Sequence, residues 1–310
     1  MTNTASQPCS TAQLGITAQQ RAVDFILEHG TNLQRERYLC YFATSPVENV
    51  LAALSHYQNS DGGFGHGLEA DLRTKKSSVI ATTVAMQILE SLCALDSNLA
   101  RDAVHYLIGA YDGKNWHSIG PDCNDAAHAP WWRYNAEQFT PATFLANPSS
   151  EIISYIISLN VMPSEIPDLM ERALAHLVHQ DLEMHELMCY TRLYETPLLN
   201  DGVKQQMLPH LLSNAYKLVK SEPLDWEEYC LTPLTLINHA NSIYTDFFSD
   251  VLETNFHFQI NRQHEDGSWS PNWSWGGEFP TTWRSVEKEI KAELTLRFLI
   301  QLQQFDRLSN

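Results

Sequence analysis

The chain has 310 residues, of which 44% are hydrophobic and 18% charged, which is enough apolar surface for a sizeable core and too little charge for a disordered chain. Lys and Arg total 20 and Asp and Glu total 37, and the resulting net charge of −17 repels nucleic acid and anionic lipid surfaces. No segment approaches the ~20 apolar residues of a membrane helix and the polar start shows no signal peptide, so we expect a cytoplasmic protein.

Apolar residues recur at three- and four-residue intervals along most of the chain, as at Val79, Val84 and Ile88, which is the period of an α-helix. Gly and Pro residues separate these segments. We therefore predict an all-α chain that forms a single domain over residues 1–310, with residues 1–15 as a flexible N-terminal segment. The predicted helices span residues 17–29, 33–42, 47–58, 79–92, 99–111, 150–159, 167–179, 184–195, 203–219, 231–242, 246–263 and 284–305.

A turn of Asp-Gly followed by an aromatic residue occurs three times, beginning at Asp61, Asp112 and Asp266. The intervals are 51 and 154 residues, so the second is close to three times the first. A period of 51 fits about six times into the chain, as a ring of helical hairpins requires, although three copies also allow coincidence. In such a turn Gly supplies positive φ, Asp caps local amides and the aromatic ring fills a gap, which indicates scaffold residues.

Two copies of the turn follow a Gln, in Gln58-Asn59-Ser60-Asp61-Gly62-Gly63-Phe64 and in Gln263-His264-Glu265-Asp266-Gly267-Ser268-Trp269. This pattern resembles the QW-type repeat of squalene and oxidosqualene cyclases and the related repeat of protein prenyltransferase β subunits. The resemblance implies an α/α toroid, a double ring of helical hairpins around an apolar, aromatic-lined cavity. It does not imply a substrate, because toroids of this kind also serve carbohydrate processing, peptide cyclisation and plain binding. The Asp-x-Asp-Asp, Asp-Asp-x-x-Asp and zinc-ligand motifs of these families are absent, so no catalytic residue is carried over.

The loop after the first turn concentrates groups that can do chemistry. Glu69 and Asp71, two residues apart, could share a proton, which raises one pKa as a general acid requires, and His66 is a third catalytic candidate. The alternative is that both carboxylates cap loop amides and pair with Arg73.

The same loop places Arg73, Lys75 and Lys76 just before Ser77 or Ser78, either of which is a suitable N-cap for the next helix. Cations beside a helix N-terminus favour a phosphate-sized anion, so we predict a diphosphate site, with Mg²⁺ as the cofactor if the substrate is a diphosphate. A solvated basic turn is the alternative. No zinc motif is present.

Further candidates lie later in the chain. Glu186 is a fourth catalytic candidate and shares a helix face with Tyr190, a candidate substrate contact; a surface Glu is the alternative. Aromatic segments can stabilise a carbocation or stack on sugar rings, or simply pack between hairpins. The candidate substrate contacts from these segments are Trp131, Trp132, Arg133 and Trp275.

Three functions remain open on these residues. The first is a terpene cyclase or prenyl-transfer enzyme that acts on an isoprenoid or other small apolar substrate in the central cavity. The second is a carbohydrate-active toroid, a lyase or hydrolase, in which Glu69, Asp71 or Glu186 supplies acid and base. The third is a non-catalytic binding module.

Overall fold

The structure is a computed structural model that describes residues 11–138 and 144–309. This part of the chain contains twelve α-helices joined by turns, short 3₁₀ segments and isolated β-bridges, and it contains no strand longer than such a bridge. The prediction of an all-α protein is therefore confirmed. None of the described helices is long and apolar enough to cross a membrane. The helices are α1 (Ile16–His29), α2 (Asn32–Phe42), α3 (Val47–Ser55), α4 (Val79–Ser91), α5 (Asn98–Gly109), α6 (Ala146–Ser158), α7 (Ile166–His179), α8 (Met184–Glu195), α9 (Asp201–Leu218), α10 (Pro233–Leu236), α11 (Ser249–Asn261) and α12 (Pro280–Gln304).

The chain divides into two compact units, each built from separate stretches of sequence. Unit 1 takes its described residues from 1–34, 219–272 and 291–310, and unit 2 takes them from 35–218 and 273–290. Within unit 2, α4 packs against α6 and α6 packs against α8, while α7 packs against α9. The expectation of one domain over the whole chain stays a prediction.

The flexibility of the segment 1–15 stays a prediction, of which residues 1–10 lie outside the described part of the chain, but its last residues have defined partners. In unit 1 Leu14 is 1% exposed and its backbone N–H donates to the carbonyl of Arg307 at 2.8 Å. The N–H of Ser309 donates to the carbonyl of Leu14 at 3.1 Å. Leu14 pairs with Leu308 in a single isolated bridge. One isolated bridge produces no periodic pattern of apolar residues, so the sequence gives no sign of it.

The three Asp-Gly turns share their local hydrogen bonds. In each turn the Asp side chain accepts a hydrogen bond from the backbone N–H two residues later, at 3.0 Å for Asp61, 2.8 Å for Asp112 and 3.0 Å for Asp266. The glycine that follows each Asp has φ between 86° and 90°, the left-handed region that favours glycine. The prediction that these three residues occupy equivalent turns is confirmed at the level of the turn.

The aromatic residue of each turn ties it to the helix that follows. Its backbone N–H donates to a hydroxyl on that helix, from Phe64 to Thr82 of α4 at 3.0 Å, from Trp116 to Ser149 of α6 at 3.3 Å and from Trp269 to Thr295 of α12 at 3.2 Å. The aromatic residues are at most 5% exposed. Each turn therefore connects the helix before it to the helix after it: α3 to α4, α5 to α6, and α11 to α12.

The hydrogen bonds of the glutamine before the turn explain why this residue recurs in two copies. In unit 2 the amide of Gln58 donates to the carbonyl of Gly62, at 2.9 Å, and to that of Leu99 in the first turn of α5, at 3.1 Å. In unit 1 the amide of Gln263 donates to the carbonyl of Gly267 at 3.0 Å and to that of Ala18 at 2.9 Å. Ala18 lies in the first turn of α1. One side chain thus holds the turn and a neighbouring helix together.

The predicted helix 231–242 is wrong beyond its first turn, because α10 has only four residues. Thr232 caps its start by accepting a hydrogen bond from the N–H of Thr235 at 3.1 Å. The carbonyls of Leu234 and Ile237 accept hydrogen bonds from the side-chain amide of Gln301, at 2.8 and 2.7 Å, in place of helical N–H groups. The tertiary partner that ends the helix lies more than 60 residues away and leaves no local signal.

Gly62→Ala should destabilise unit 2 far more than Gly113→Ala. Both glycines have φ near 90°, but a Cβ on Gly62 would overlap the carbonyl of Asp102 in α5, whereas a Cβ on Gly113 meets no described atom within 4 Å. We expect a loss of about 3 kcal/mol or more for Gly62→Ala and about 1 kcal/mol for Gly113→Ala. Urea unfolding of both variants measures the difference, and equal losses would contradict the close contact with α5.

Candidate functional site

The acid loop, residues 65–74, lies against the segment 126–129 in unit 2. Leu72 and His128 form an antiparallel bridge. The N–H of Arg73 donates to the carbonyl of Ala127 at 2.9 Å, and the N–H of Ala129 donates to the carbonyl of Asp71 at 2.8 Å. These hydrogen bonds fix the backbone on both sides of Leu72. The side chains of Asp71 and Arg73 are therefore attached to a backbone segment that is held in place.

The carboxylate of Asp71 is held by two tryptophans. Its Oδ1 accepts a hydrogen bond from Nε1 of Trp275 at 2.7 Å, and its Oδ2 accepts one from Nε1 of Trp273 at 3.2 Å. Asp71 is 7% exposed and Trp275 is 1% exposed. Burial raises the pKa of Asp71, while the two indole hydrogen bonds and the nearby charge of Arg73 act in the opposite direction.

Glu69 is the second carboxylate, and it is partly exposed. Its Oε1 accepts hydrogen bonds from Nε1 of Trp132 at 3.3 Å and from the backbone N–H of Asp71 at 3.4 Å. Burial of the carboxyl, followed by the negative charge of Asp71, raises the pKa of Glu69 to about 7. The charge of Asp71 therefore acts on Glu69, and a carboxyl with a pKa of about 7 can give up its proton near neutral pH.

Two of the three predicted diphosphate contacts are already paired with carboxylates. Nη1 of Arg73 lies 2.8 Å from Oε2 of Glu289, and Nζ of Lys76 lies 2.7 Å from Oδ1 of Asp122. Lys75 is exposed. Paired cations leave less positive potential for an incoming anion, so the geometry gives the predicted diphosphate site little support.

The helix N-terminus beside these cations is also satisfied. Oγ of Ser78 accepts a hydrogen bond from the N–H of Ala81 at 3.2 Å, so Ser78 is the N-cap of α4. Ser77 instead donates its hydroxyl to Asp61 of the turn at 2.8 Å. His66 is exposed, and its Nε2 lies 2.9 Å from Oδ1 of Asn59, another turn residue. His66 therefore belongs to the turn rather than to the acid pair.

Glu186 and Tyr190 have structural partners on α7 and α8. The side chain of Glu186 accepts from the N–H of Glu183 at 3.1 Å, which completes a capping box at the start of α8. Its Oε1 also lies 3.6 Å from Nε2 of His176, and the hydroxyl of Tyr190 donates to the carbonyl of Ala173 at 2.8 Å. No described contact joins these residues to Glu69 or Asp71.

The four candidates from the aromatic segments differ in their surroundings. Trp132 and Trp275 each hold one of the acids. Arg133 forms an ion pair with Glu278, with 2.7 Å between Nη2 and Oε2. Trp131 is 48% exposed and presents its ring to solvent beside Trp132.

Trp273 and His128 belong to the site but were not among the predicted site residues. Trp273 stands two positions before Trp275, and this spacing was the one available signal that both indoles reach the same carboxylate. His128 lies in an aromatic segment, and only its pairing with Leu72 reveals that it borders the acid loop. No group of three or more His, Cys, Asp or Glu within the described residues is arranged to hold a metal ion.

Comparison with known proteins identifies no family for this chain. No family model matches the chain, and no curated protein matches it. A solved protein from Actinoplanes superimposes on 93% of this chain and 98% of its own, with a TM-score of 0.49 and 12% sequence identity.

Glu69→Gln should change how the stability of the protein depends on pH. Because the pKa of Glu69 is about 7 in the folded protein and 4.5 ordinarily, the folded state binds the proton more tightly, and this contribution to stability is lost as pH rises from 4.5 to 7. The variant lacks this loss. Its free energy of unfolding relative to wild type should therefore rise by about 1–3 kcal/mol between pH 5 and pH 8, measured by urea unfolding. A constant difference across this range would contradict the raised pKa.

Proposed function

We propose that this chain is a carbohydrate-active enzyme in which Glu69 donates a proton to a glycosidic oxygen and Asp71 supplies the second carboxylate. The observation that carries the proposal is the acid pair itself: a partly exposed Glu69 whose pKa is raised to about 7, beside a buried Asp71. Two carboxyls that differ in burial and in hydrogen-bond donors are suited to two different roles in one reaction.

The raised pKa of Glu69 supports one substrate class over a protonation-initiated cyclase. A general acid works best when its pKa lies near the working pH, and a Glu with a pKa of about 7 is matched to an ether-like oxygen that leaves as an alcohol. Protonation of a carbon–carbon double bond, the first step of a protonation-initiated cyclase, needs a much stronger acid. The raised pKa of Glu69 therefore favours a sugar over an alkene.

The tryptophans fit the same substrate class. The indole N–H groups of Trp132, Trp273 and Trp275 are directed at the two carboxylates, so these rings orient the acids. Trp131 is 48% exposed beside Trp132, which leaves an aromatic face available for a sugar ring to stack on.

The terpenoid hypothesis remains a second proposal, supported by the repeated turn.

For the architecture we propose the predicted α/α toroid. The turn after α11 bonds to α1 as the turn after α3 bonds to α5, because Ala18 and Leu99 accept hydrogen bonds from the two Gln amides. The turn glycines Gly267 and Gly62 also lie so close to Arg21 and Asp102, three residues further on, that an added Cβ would overlap the backbone there. A ring requires its last hairpin to meet the first in this way. Cytoplasmic location also stays a proposal.

A parallel assay tests both substrate classes. Purified protein would be incubated with cello-, xylo- and malto-oligosaccharides and with oligogalacturonides, following new reducing ends and unsaturated sugar products. Farnesyl diphosphate, geranylgeranyl diphosphate and squalene would be incubated separately, with mass spectrometry for prenyl or cyclised products. Cleaved sugar supports the proposal, whereas isoprenoid products without any sugar product would overturn it in favour of the terpenoid hypothesis.

Asp71→Asn and Glu69→Gln should each lower turnover of the cleaved oligosaccharide by at least ~100-fold, because each removes a group that transfers a proton or carries the second charge. Glu186→Ala is the control: it removes the capping box of α8, so it should cost about 1 kcal/mol of stability and leave turnover unchanged. Turnover and thermal unfolding would be measured on all three variants. Full activity of both acid-loop variants would exclude this loop from the chemistry.

A further inference from the structure

His128 carries a buried nitrogen without a hydrogen-bond partner. The residue is 4% exposed, and its Nδ1 lies 2.7 Å from the carbonyl oxygen of Ala126. A carbonyl only accepts, so Nδ1 is the donor and, in the neutral ring, the lone pair is on Nε2. Nε2 is buried and has no partner among the described residues.

Two of the described neighbours of His128 carry no hydrogen-bond donor on their side chains. Leu72 stands opposite His128 in the backbone bridge and is 2% exposed. The ring of Phe279 lies on the imidazole with 5.5 Å between centroids. A buried acceptor is costly when it is left unpaired, so the missing donor is expected from a bound molecule.

Phe279 connects His128 to the acid pair and to solvent. Its ring lies 6.3 Å from that of Trp275, which holds Asp71, and the residue is 40% exposed. Its φ of 45° is unusual for a bulky residue, and Gly276 and Gly277 before it also have positive φ. The aromatic contacts of Phe279 therefore place His128 beside the residues that hold the acid pair.

We propose that Nε2 of His128 accepts a hydrogen bond from a hydroxyl of the bound sugar, which makes His128 a substrate-binding residue. The inference rests on the proposed carbohydrate function and names the recognition that this function needs. Hydroxyl groups are the donors that a sugar offers along its whole length, and a buried acceptor selects strongly for a ligand that can donate to it.

Two variants separate binding from folding. His128→Asn places an amide N–H where Nδ1 donates to Ala126 and removes the outer acceptor, whereas His128→Gln reaches the position of Nε2 with a carbonyl oxygen. We expect the Kd of the best-binding oligosaccharide of the panel to rise at least ~10-fold in His128→Asn and less than ~3-fold in His128→Gln. Equal weakening in both variants, with unchanged melting, would overturn the specific hydrogen bond.

Nitrogen NMR of protein labelled with ¹⁵N-histidine reads the acceptor directly. The Nε2 resonance of His128 is assigned by its loss in His128→Asn, and it should move upfield when an oligosaccharide donates to it. A resonance that stays fixed while a sugar binds overturns this inference and leaves the carbohydrate function standing. Ethylene glycol serves as a minimal hydroxyl donor: if it moves the resonance while no oligosaccharide binds, the acceptor is real and the proposed function fails. A resonance that neither probe moves overturns the acceptor.

Discussion

The side-chain amide of a glutamine at the end of a helix is the interaction on which the rest of the structure depends. Gln58 bonds the carbonyl of Gly62 within its own turn and that of Leu99 in the first turn of α5, so one group closes a turn and docks a neighbouring helix. The acid loop, residues 65–74, begins directly after this turn. Because Gln58 holds the turn at the start of this loop, the pairing of Leu72 with His128 needs to order only the short stretch of backbone between them.

The acid pair is a local exception in its electrostatics. In a chain with a net charge of −17, cations near a carboxylate would ordinarily lower its pKa, yet Arg73 is bound to Glu289 and Lys76 to Asp122. Burial of the carboxyl, followed by the negative charge of Asp71, raises the pKa of Glu69, while the hydrogen bond from the Trp132 indole acts in the opposite direction. Desolvation of the Glu69 carboxyl therefore outweighs its hydrogen bonds, and the loop cations Arg73 and Lys76 are bound to other carboxylates.

The sequence predicts what depends on near neighbours. The helical period locates eleven of the twelve described helices well. The spacing of Glu69 and Asp71 predicts that one carboxyl influences the other, and the charge of Asp71 contributes to the raised pKa of Glu69, while the catalytic role of the pair stays a prediction. It fails where a partner is distant: Trp273 reaches Asp71 across about 200 residues, and Gln301 ends α10 from another helix. The pairing of Arg73 with Glu289 likewise joins residues that no motif connects.

The bond between Gln263 and Ala18 has a consequence for synthesis on the ribosome. Ala18 stands in the first helix of the chain, while the side chain that docks against it arrives about 245 residues later. Until Gln263 has been synthesised, α1 lacks the side chain that docks against its first turn. The packing of α1 within unit 1 is therefore completed long after α1 itself is synthesised, which is the circumstance in which chaperones act on a folding protein.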